Sequence, residues 1–185
     1  MTGLVVWRHP RPHGVDGRCI GRTDVPVDPR KAKRLAHRIR RAVRREGGVR
    51  EVWTSPLQRG ADVGRWLARW GWVHHVDPRL SELDFGSWDG RRWNMIGAAE
   101  VDAWCAAFAG HAPGGGESVT ALMARCAAFV QAHPDARVVG HAGWINAAAR
   151  VVQGLPPPAA AAEWPASLRY GVAWRASNSR GAESQ

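Results

Sequence analysis

The sequence predicts an α/β fold of three layers, α/β/α, with a mostly parallel sheet and one antiparallel edge strand. Two observations carry that prediction. Short apolar, β-branched runs alternate with longer stretches of helical periodicity, and single polar residues with chemical potential stand directly after those runs. In an open α/β sheet, ligands bind outside the carboxyl ends of the strands, so those residues are placed where a site forms.

The first run, Leu4-Val5-Val6, ends in Trp7-Arg8-His9-Pro10 and reads as a buried strand that delivers its last side chains to the sheet edge. Residues 10–27 are rich in Pro, Gly and polar side chains and form a long loop. Asp28-Pro29 supplies an N-cap and a proline at the first helical position. Over residues 29–45, Ala32, Leu35, Ala36, Ile39 and Val43 fall at helical spacing, with Lys33, Arg34, Arg38, Arg41 and Arg45 around them, until Gly47-Gly48 ends the helix.

Residues 49–54 form a second strand, and Ser55-Pro56 repeats the N-cap-then-proline signal for a helix to about Trp70, with Arg59 in its first turn. Residues 72–76 form a third strand. Residues 78–93 fit neither period, and so long an ordered loop in a compact domain points to function. Helices over 94–109 and 118–133 flank a loop at 111–116. Residues 137–140 form a fourth strand, and His141-Ala142-Gly143 begins a helix to about Gln153. Pro156-Pro157-Pro158 opens a connector, residues 167–175 form the antiparallel edge strand, and the remaining residues form a polar tail. Residues 1–176 thus make one domain and 177–185 a tail.

At 185 residues the chain can bury a substantial core. The opening Met-Thr-Gly lacks a basic n-region, and its apolar run is too short for a signal peptide or a membrane span, which predicts a cytoplasmic protein without membrane attachment. Cys19, Cys105 and Cys126 are odd in number and lack Cys-x-x-Cys spacing, so they read as reduced thiols. The net charge of +10 suits nucleic acid, a membrane surface or a small anionic substrate. Only Lys31 and Lys33 are lysines, and arginine is abundant throughout, so the charge is a compositional habit more than a designed patch.

His9, Arg59, Glu82 and His141 each follow a strand, and with Arg8 they are predicted at one sheet edge. Two histidines, two arginines and a carboxylate suit phosphoryl transfer to an imidazole. Arg8 and Arg59 offer bidentate donors for phosphate oxygens, and the helix starts near Arg59 and at His141-Ala142 add backbone N–H groups. Neutral His9 can attack phosphorus, and nearby cations favour that neutral form. Glu82 would protonate the departing alkoxide and then accept a proton from the hydrolytic water, with Asp84 and Asp89 as alternative donors. This chemistry needs neither a metal nor a cofactor, and no P-loop is present.

The segments 4–10, 21–26, 55–59, 80–90, 116–118 and 139–143 resemble, in order, the motifs of the histidine phosphatase superfamily, the phosphoglycerate mutase-like fold. Six weak motifs in order make a strong signal. The resemblance implies that His9 is the phosphoacceptor, that Arg8, Arg59 and His141 bind phosphate, that Glu82 is the proton donor, and that Thr23 lies near the substrate. Within the superfamily, Gly21-Arg22-Thr23-Asp24 and the segment 82–88 look most like alpha-ribazole phosphatases of cobalamin biosynthesis. The expected substrate is therefore alpha-ribazole 5′-phosphate, with another sugar or nucleotide monophosphate as the alternative, and the expected partner is this small phosphorylated molecule, bound by a monomer or homodimer. The sequence departs from the family at Pro10, usually glycine, at Val15, often Asn, and at Asn146, often Arg.

Competing readings accompany several of these residues. Trp88 and Trp93 could stack on a base in the pocket, although with 11 tryptophans packing is as good an account. Gly114-Gly115-Gly116 follows no strand and lacks the Lys-Ser/Thr ending of a phosphate loop, so it reads as a hinge or loop. His74, His75 and His111 read as packing or surface residues. The basic helix could dock RNA or acidic lipid on a scaffold without catalysis, but a solvated charged face is the commoner outcome. A phosphomutase would use the same histidine chemistry, and the chain has little spare length for the enclosing segments of mutases of this fold.

Overall fold

Val5 and Trp7 face one side of a five-stranded sheet while Leu4 and Val6 face the other, and this alternation separates two cores. The computed structural model describes residues 3–176; the polar tail at 177–185 lies outside the described residues. The strands are β1 (Val5–Arg8), β2 (Glu51–Thr54), β3 (Val73–Val76), β4 (Arg137–Gly140) and β5 (Ala173–Arg175), in the order β3-β2-β4-β1-β5. All pairs are parallel except β1 with β5, as the sequence predicts. Helices cover both faces, giving the three-layer α/β/α architecture.

Helices α1 (Pro29–Glu46) and α2 (Gln58–Ala68) pack Leu35, Ile39, Val43, Val63 and Leu67 against Val5, Trp7, Val52 and Val139. On the opposite face α4 (Val119–Ala132) and α5 (Ala142–Val152) pack Leu122, Cys126, Phe129, Trp144 and Ile145 against Leu4, Val6 and Val138. The chain leaves β1 towards α1 on one face and leaves β4 towards α5 on the other. The neighbouring ends of β1 and β4 are therefore a topological switch point, where the two connections diverge and leave a crevice.

Local signals set the helix limits. The Asp28 carboxylate accepts the Arg30 N–H at 2.8 Å, and Gly47 closes α1 at a φ of 68° that other residues reach only with strain. Among the described residues, no helix is long and apolar enough to cross a membrane.

Three expectations need correction. The helix expected over 94–109 is only α3 (Ala98–Ala106), preceded by a 3-10 turn at Trp93–Met95; it buries no side chain, so no apolar stripe extends it. The N-cap signal at Ser55-Pro56 precedes a turn, in which the Ser55 hydroxyl accepts the Leu57 N–H at 3.3 Å, and α2 begins at Gln58. Of the edge strand expected over 167–175, only Ala173–Arg175 pairs with β1. The preceding residues leave the sheet and cross the end of β1, where Gly171 donates its N–H to the Arg8 carbonyl at 3.0 Å.

Trp88 is a packing residue. It is buried with Cys19 and Ile96 in a satellite core beneath the loops, edge-on to Trp93 and Trp104. The glycines at 114–116 allow a close backbone approach rather than a hinge: a Cβ on Gly114 would lie 2.2 Å from the Phe85 carbonyl, and one on Gly116 2.3 Å from that of Asp84. His74 bonds the Thr54 hydroxyl at 2.8 Å and His75 stacks on Trp53, both at the β2–β3 edge.

Candidate active site

Parallel register sets Arg8 beside Gly140, and the His9 N–H donates to the Gly140 carbonyl at 3.0 Å. The next residue on each strand is then a histidine over the crevice. The His9 and His141 ring centroids lie 5.0 Å apart, and both residues are buried.

Their tautomers follow from their partners. His9 Nδ1 lies 2.7 Å from the Pro10 carbonyl oxygen, which can only accept, so Nδ1 carries the proton and the Nε2 lone pair is free. His141 Nδ1 accepts from Arg59 Nε at 3.2 Å, so its Nε2 holds the proton and donates it to Ser55 Oγ at 2.7 Å. Burial holds the pKa of His9 well below its ordinary value, and the Arg59 and Arg8 cations depress it further against the opposing bond to Pro10. Burial, then Arg59, does the same to His141. Both rings are neutral at neutral pH.

Arg59 is 1 % exposed and stands in the first turn of α2. Its Nη1 donates to the Thr23 carbonyl at 2.8 Å and its Nη2 to the Gly21 carbonyl at 2.5 Å. Among the described residues no carboxylate forms an ion pair with it, although Glu82, Asp24 and Asp89 lie near enough to oppose the burial that lowers its pKa. A buried cation without a paired anion is costly unless a ligand supplies the charge.

The carbonyls that hold Arg59 are themselves held. Asp89 accepts from the backbone N–H groups of Gly21, Arg22 and Thr23 and from the Thr23 hydroxyl at 2.5 Å. Asp24 accepts from the Gln58 N–H at 2.7 Å at the start of α2. Thr23, expected beside the substrate, therefore has its hydroxyl committed to Asp89, and Asp89 is a brace for this turn. Asp84 likewise bonds the Gly86 N–H at 2.8 Å.

Glu82 is buried at the far side of the crevice. Its Oε2 accepts from the Gly143 N–H at 3.1 Å and its Oε1 from the Leu83 N–H at 3.0 Å, which places the carboxylate at the positive end of α5. A Cβ on Gly143 would lie 2.4 Å from Oε1, so the glycine permits this approach. Ala142, at the first position of α5, contributes one of the leading N–H groups that no helical carbonyl can reach.

Arg8 closes the cluster. Its Nη1 donates to the Leu168 carbonyl, the Tyr170 ring lies 3.8 Å from its guanidinium carbon, and its buried Nε has no partner among the described residues. The structure thus brings His9, His141, Arg8, Arg59 and Glu82 to one crevice. Sequence reasoning missed Ser55, Tyr170 and Arg125. Ser55 follows β2 as His9 follows β1, so the strand-end rule could have found it; Arg125 and Tyr170 carry no local signal. Asn146 donates to the Pro165 carbonyl at 2.8 Å and so holds the connector rather than a ligand.

The sequence profile of the histidine phosphatase superfamily (branch 1) matches residues 4–166. No curated protein matches the chain. Among solved structures, the native mycobacterial glucosyl-3-phosphoglycerate phosphatase is similar at 28 % identity with a TM-score of 0.69, over 84 % of this chain and 81 % of that one. A protein described as mycobacterial hydrolase 1 is similar at 26 % identity with a TM-score of 0.76, over 94 % and 87 %. The alpha-ribazole phosphatase from Shigella flexneri is similar at 24 % identity with a TM-score of 0.72, over 92 % and 87 %, a likeness of fold.

Proposed function

This chain belongs to the histidine phosphatase superfamily and is a phosphatase of that type, and from that premise we propose that it hydrolyses phosphorylated sugars or related phosphomonoesters through His9. The observation that carries the reading is the free Nε2 of His9 facing two arginines with unmet demand for an anion, Arg59 without an ion-pair partner and Arg8 with an orphaned Nε among the described residues. A phosphoryl dianion between them supplies the missing charge.

In the proposed reaction His9 Nε2 attacks phosphorus, the P–N bond forms as the bond to the leaving oxygen breaks, and Glu82 gives that oxygen its proton. Water then attacks phosphohistidine, Glu82 takes up a proton, and inorganic phosphate and neutral His9 return. Arg8, Arg59 and the Ala142 N–H hold the phosphoryl oxygens as charge shifts among them, whereas His141, expected to bind phosphate, gives its Nε2–H to Ser55 and its Nδ1 lone pair to Arg59 and so holds that arginine instead. His141 reaches its place through bonds to Ser55 and Arg59 that orient its ring.

Similarity to a glucosyl-3-phosphoglycerate phosphatase at the higher identity favours a sugar phosphate over alpha-ribazole 5′-phosphate, the substrate suggested by the sequence segments, since the likeness to the alpha-ribazole enzyme is one of fold. The test is phosphate release, with EDTA present, from glucosyl-3-phosphoglycerate, simple sugar and nucleotide monophosphates and alpha-ribazole 5′-phosphate. Sugar phosphates should lead in kcat/KM, and His9→Ala should abolish turnover. A dominant preference for alpha-ribazole phosphate would restore the cobalamin assignment, and turnover that survives His9→Ala would sink the mechanism.

A further inference from the structure

We propose that Tyr170 is a positioning residue of the phosphate site: its ring, carried over the end of β1 by the chain before β5, fixes the Arg8 guanidinium so that its Nε–Nη2 edge faces the phosphoryl group. This inference rests on the reading of Arg8 as a phosphate ligand.

The geometry starts with a long flexible side chain at a strand end. Left to itself, an arginine there samples many rotamers, and ordering it on each binding event weakens affinity. Two contacts from residues 160 or so positions away remove that freedom. The Leu168 carbonyl takes Nη1, and the Tyr170 ring covers one face of the guanidinium at 3.8 Å. A guanidinium has a side-on edge, made by Nε and Nη2, that matches two oxygens of a phosphate. With Nη1 bound to Leu168, that edge is the part left over, and Nε is buried without a partner among the described residues.

The same ring approaches His9, with centroids 5.5 Å apart. Tyr170 therefore stands beside both the nucleophile and its cation. The Tyr170-Gly171 turn is tied down in its own right: the Gly171 N–H bonds the Arg8 carbonyl at 3.0 Å, and the Arg8 N–H bonds the Val172 carbonyl at 2.9 Å. Backbone bonds from the two residues that follow Tyr170 make its position a property of the fold, independent of bound substrate.

The role belongs to the aromatic face, so the hydroxyl should be dispensable. Inhibition by vanadate and by inorganic phosphate reads the phosphate cradle without a leaving group. Tyr170→Ala is expected to weaken both inhibitors and to lower kcat/KM about tenfold to thirtyfold, whereas Tyr170→Phe stays within about twofold of the parent. In an Arg8→Ala background, Tyr170→Ala should add nothing to the loss of inhibitor binding, because the cation it orients is gone. Tyr170→Leu, which keeps bulk over the turn without an aromatic face, gives the same reading should the alanine variant fail to fold. Unchanged inhibition in Tyr170→Ala, a loss in Tyr170→Phe as large as in Tyr170→Ala, or additive losses with Arg8→Ala would each overturn the proposal. If Arg8→Ala alone leaves inhibition unchanged, the phosphate-cradle reading itself fails.

Discussion

His9, His141 and Arg59 stand at two strand ends and in the first turn of a helix, whereas Glu82 stands in an irregular segment whose backbone is held by side chains from elsewhere. On the first side, register between β1 and β4 places the residues, and the buried histidines and arginine bond one another and nearby carbonyls. On the second side two guanidiniums do the placing, Arg22 donating its Nε–H to the Glu82 carbonyl at 3.0 Å beside the more extensive bonds of Arg125. Arg125 of α4 donates to the carbonyls of Arg79 and Ser81, each at 2.7 Å, and of Glu82 at 3.0 Å, and is itself clamped by both oxygens of Glu117. The Trp144 indole N–H adds a bond to the Arg79 carbonyl at 2.8 Å. The proposed nucleophile and its proposed phosphate ligands are thus built on strand ends and a helix start, and the proposed proton donor is delivered by a brace.

That difference predicts how each side fails. Removing the nucleophile breaks the first side outright: His9→Ala should lower kcat by at least about a thousandfold, and any phosphoenzyme trapped from labelled substrate should vanish with it. On the second side Glu82→Gln keeps the shape and removes the transferable proton. A loss of about a hundredfold or more is expected for alkyl phosphates, and much less for aryl phosphates, whose leaving oxygen needs little protonation. Equal losses on both classes would remove Glu82 from the role of acid.

The brace sharpens the comparison at a smaller scale. Arg125→Met keeps part of the stem's packing but loosens three carbonyls, of which those of Arg79 and Glu82 keep a second donor in Trp144 and Arg22, so kcat on alkyl phosphates should fall about tenfold, with little change in vanadate inhibition. In a Glu82→Gln background the same change should cost nothing further on kcat. A Ki for vanadate that weakened as much as kcat would mean that the two sides are one unit after all.

The smallest effect is on stability and comes from the first side. His9 and His141 have folded pKa values below the ordinary 6.5 because burial and neighbouring cations oppose their protonation. As pH falls through 6.5 the unfolded chain binds protons at these rings that the folded chain refuses, so stability declines, and it stops declining on their account once the folded rings also protonate. Urea midpoints in phosphate-free buffer should drop between pH 7 and 5, and His9→Gln should lose part of that slope. A slope unchanged in His9→Gln would contradict the assignment.

The cradle was legible because it depends on rules that act locally. A β-branched run followed by Arg8-His9, or by His141 and a helix start, marks a strand end, and alternation of runs with helical periods marks a doubly covered sheet. The six motifs in order then implied the family. Three kinds of fact were not legible. Tyr170 falls in a nine-residue stretch of strand-like composition, and only tertiary packing shows that it and its preceding neighbours leave the sheet. A serine before a proline signals an N-cap, and nothing local announces that Ser55 also bonds a histidine 86 residues away. Trp88 was weighed as a stacking surface, and burial with Cys19 and Ile96 decided for packing.

The sequence by itself determined the order of elements, the parallel core of the sheet and the identity of the residues at its edge, because hydrophobic periodicity, capping and proline geometry act between neighbours in the chain. Only the tertiary structure decided which nitrogen of each histidine holds the proton, which arginine lacks an anion and which side chains orient Arg8 and Glu82. Those facts are hydrogen bonds and contacts across long separations, such as the 160 residues between Arg8 and Leu168. Such partners are chosen by where the folded backbone brings donors, acceptors and rings together, and no local pattern encodes that choice.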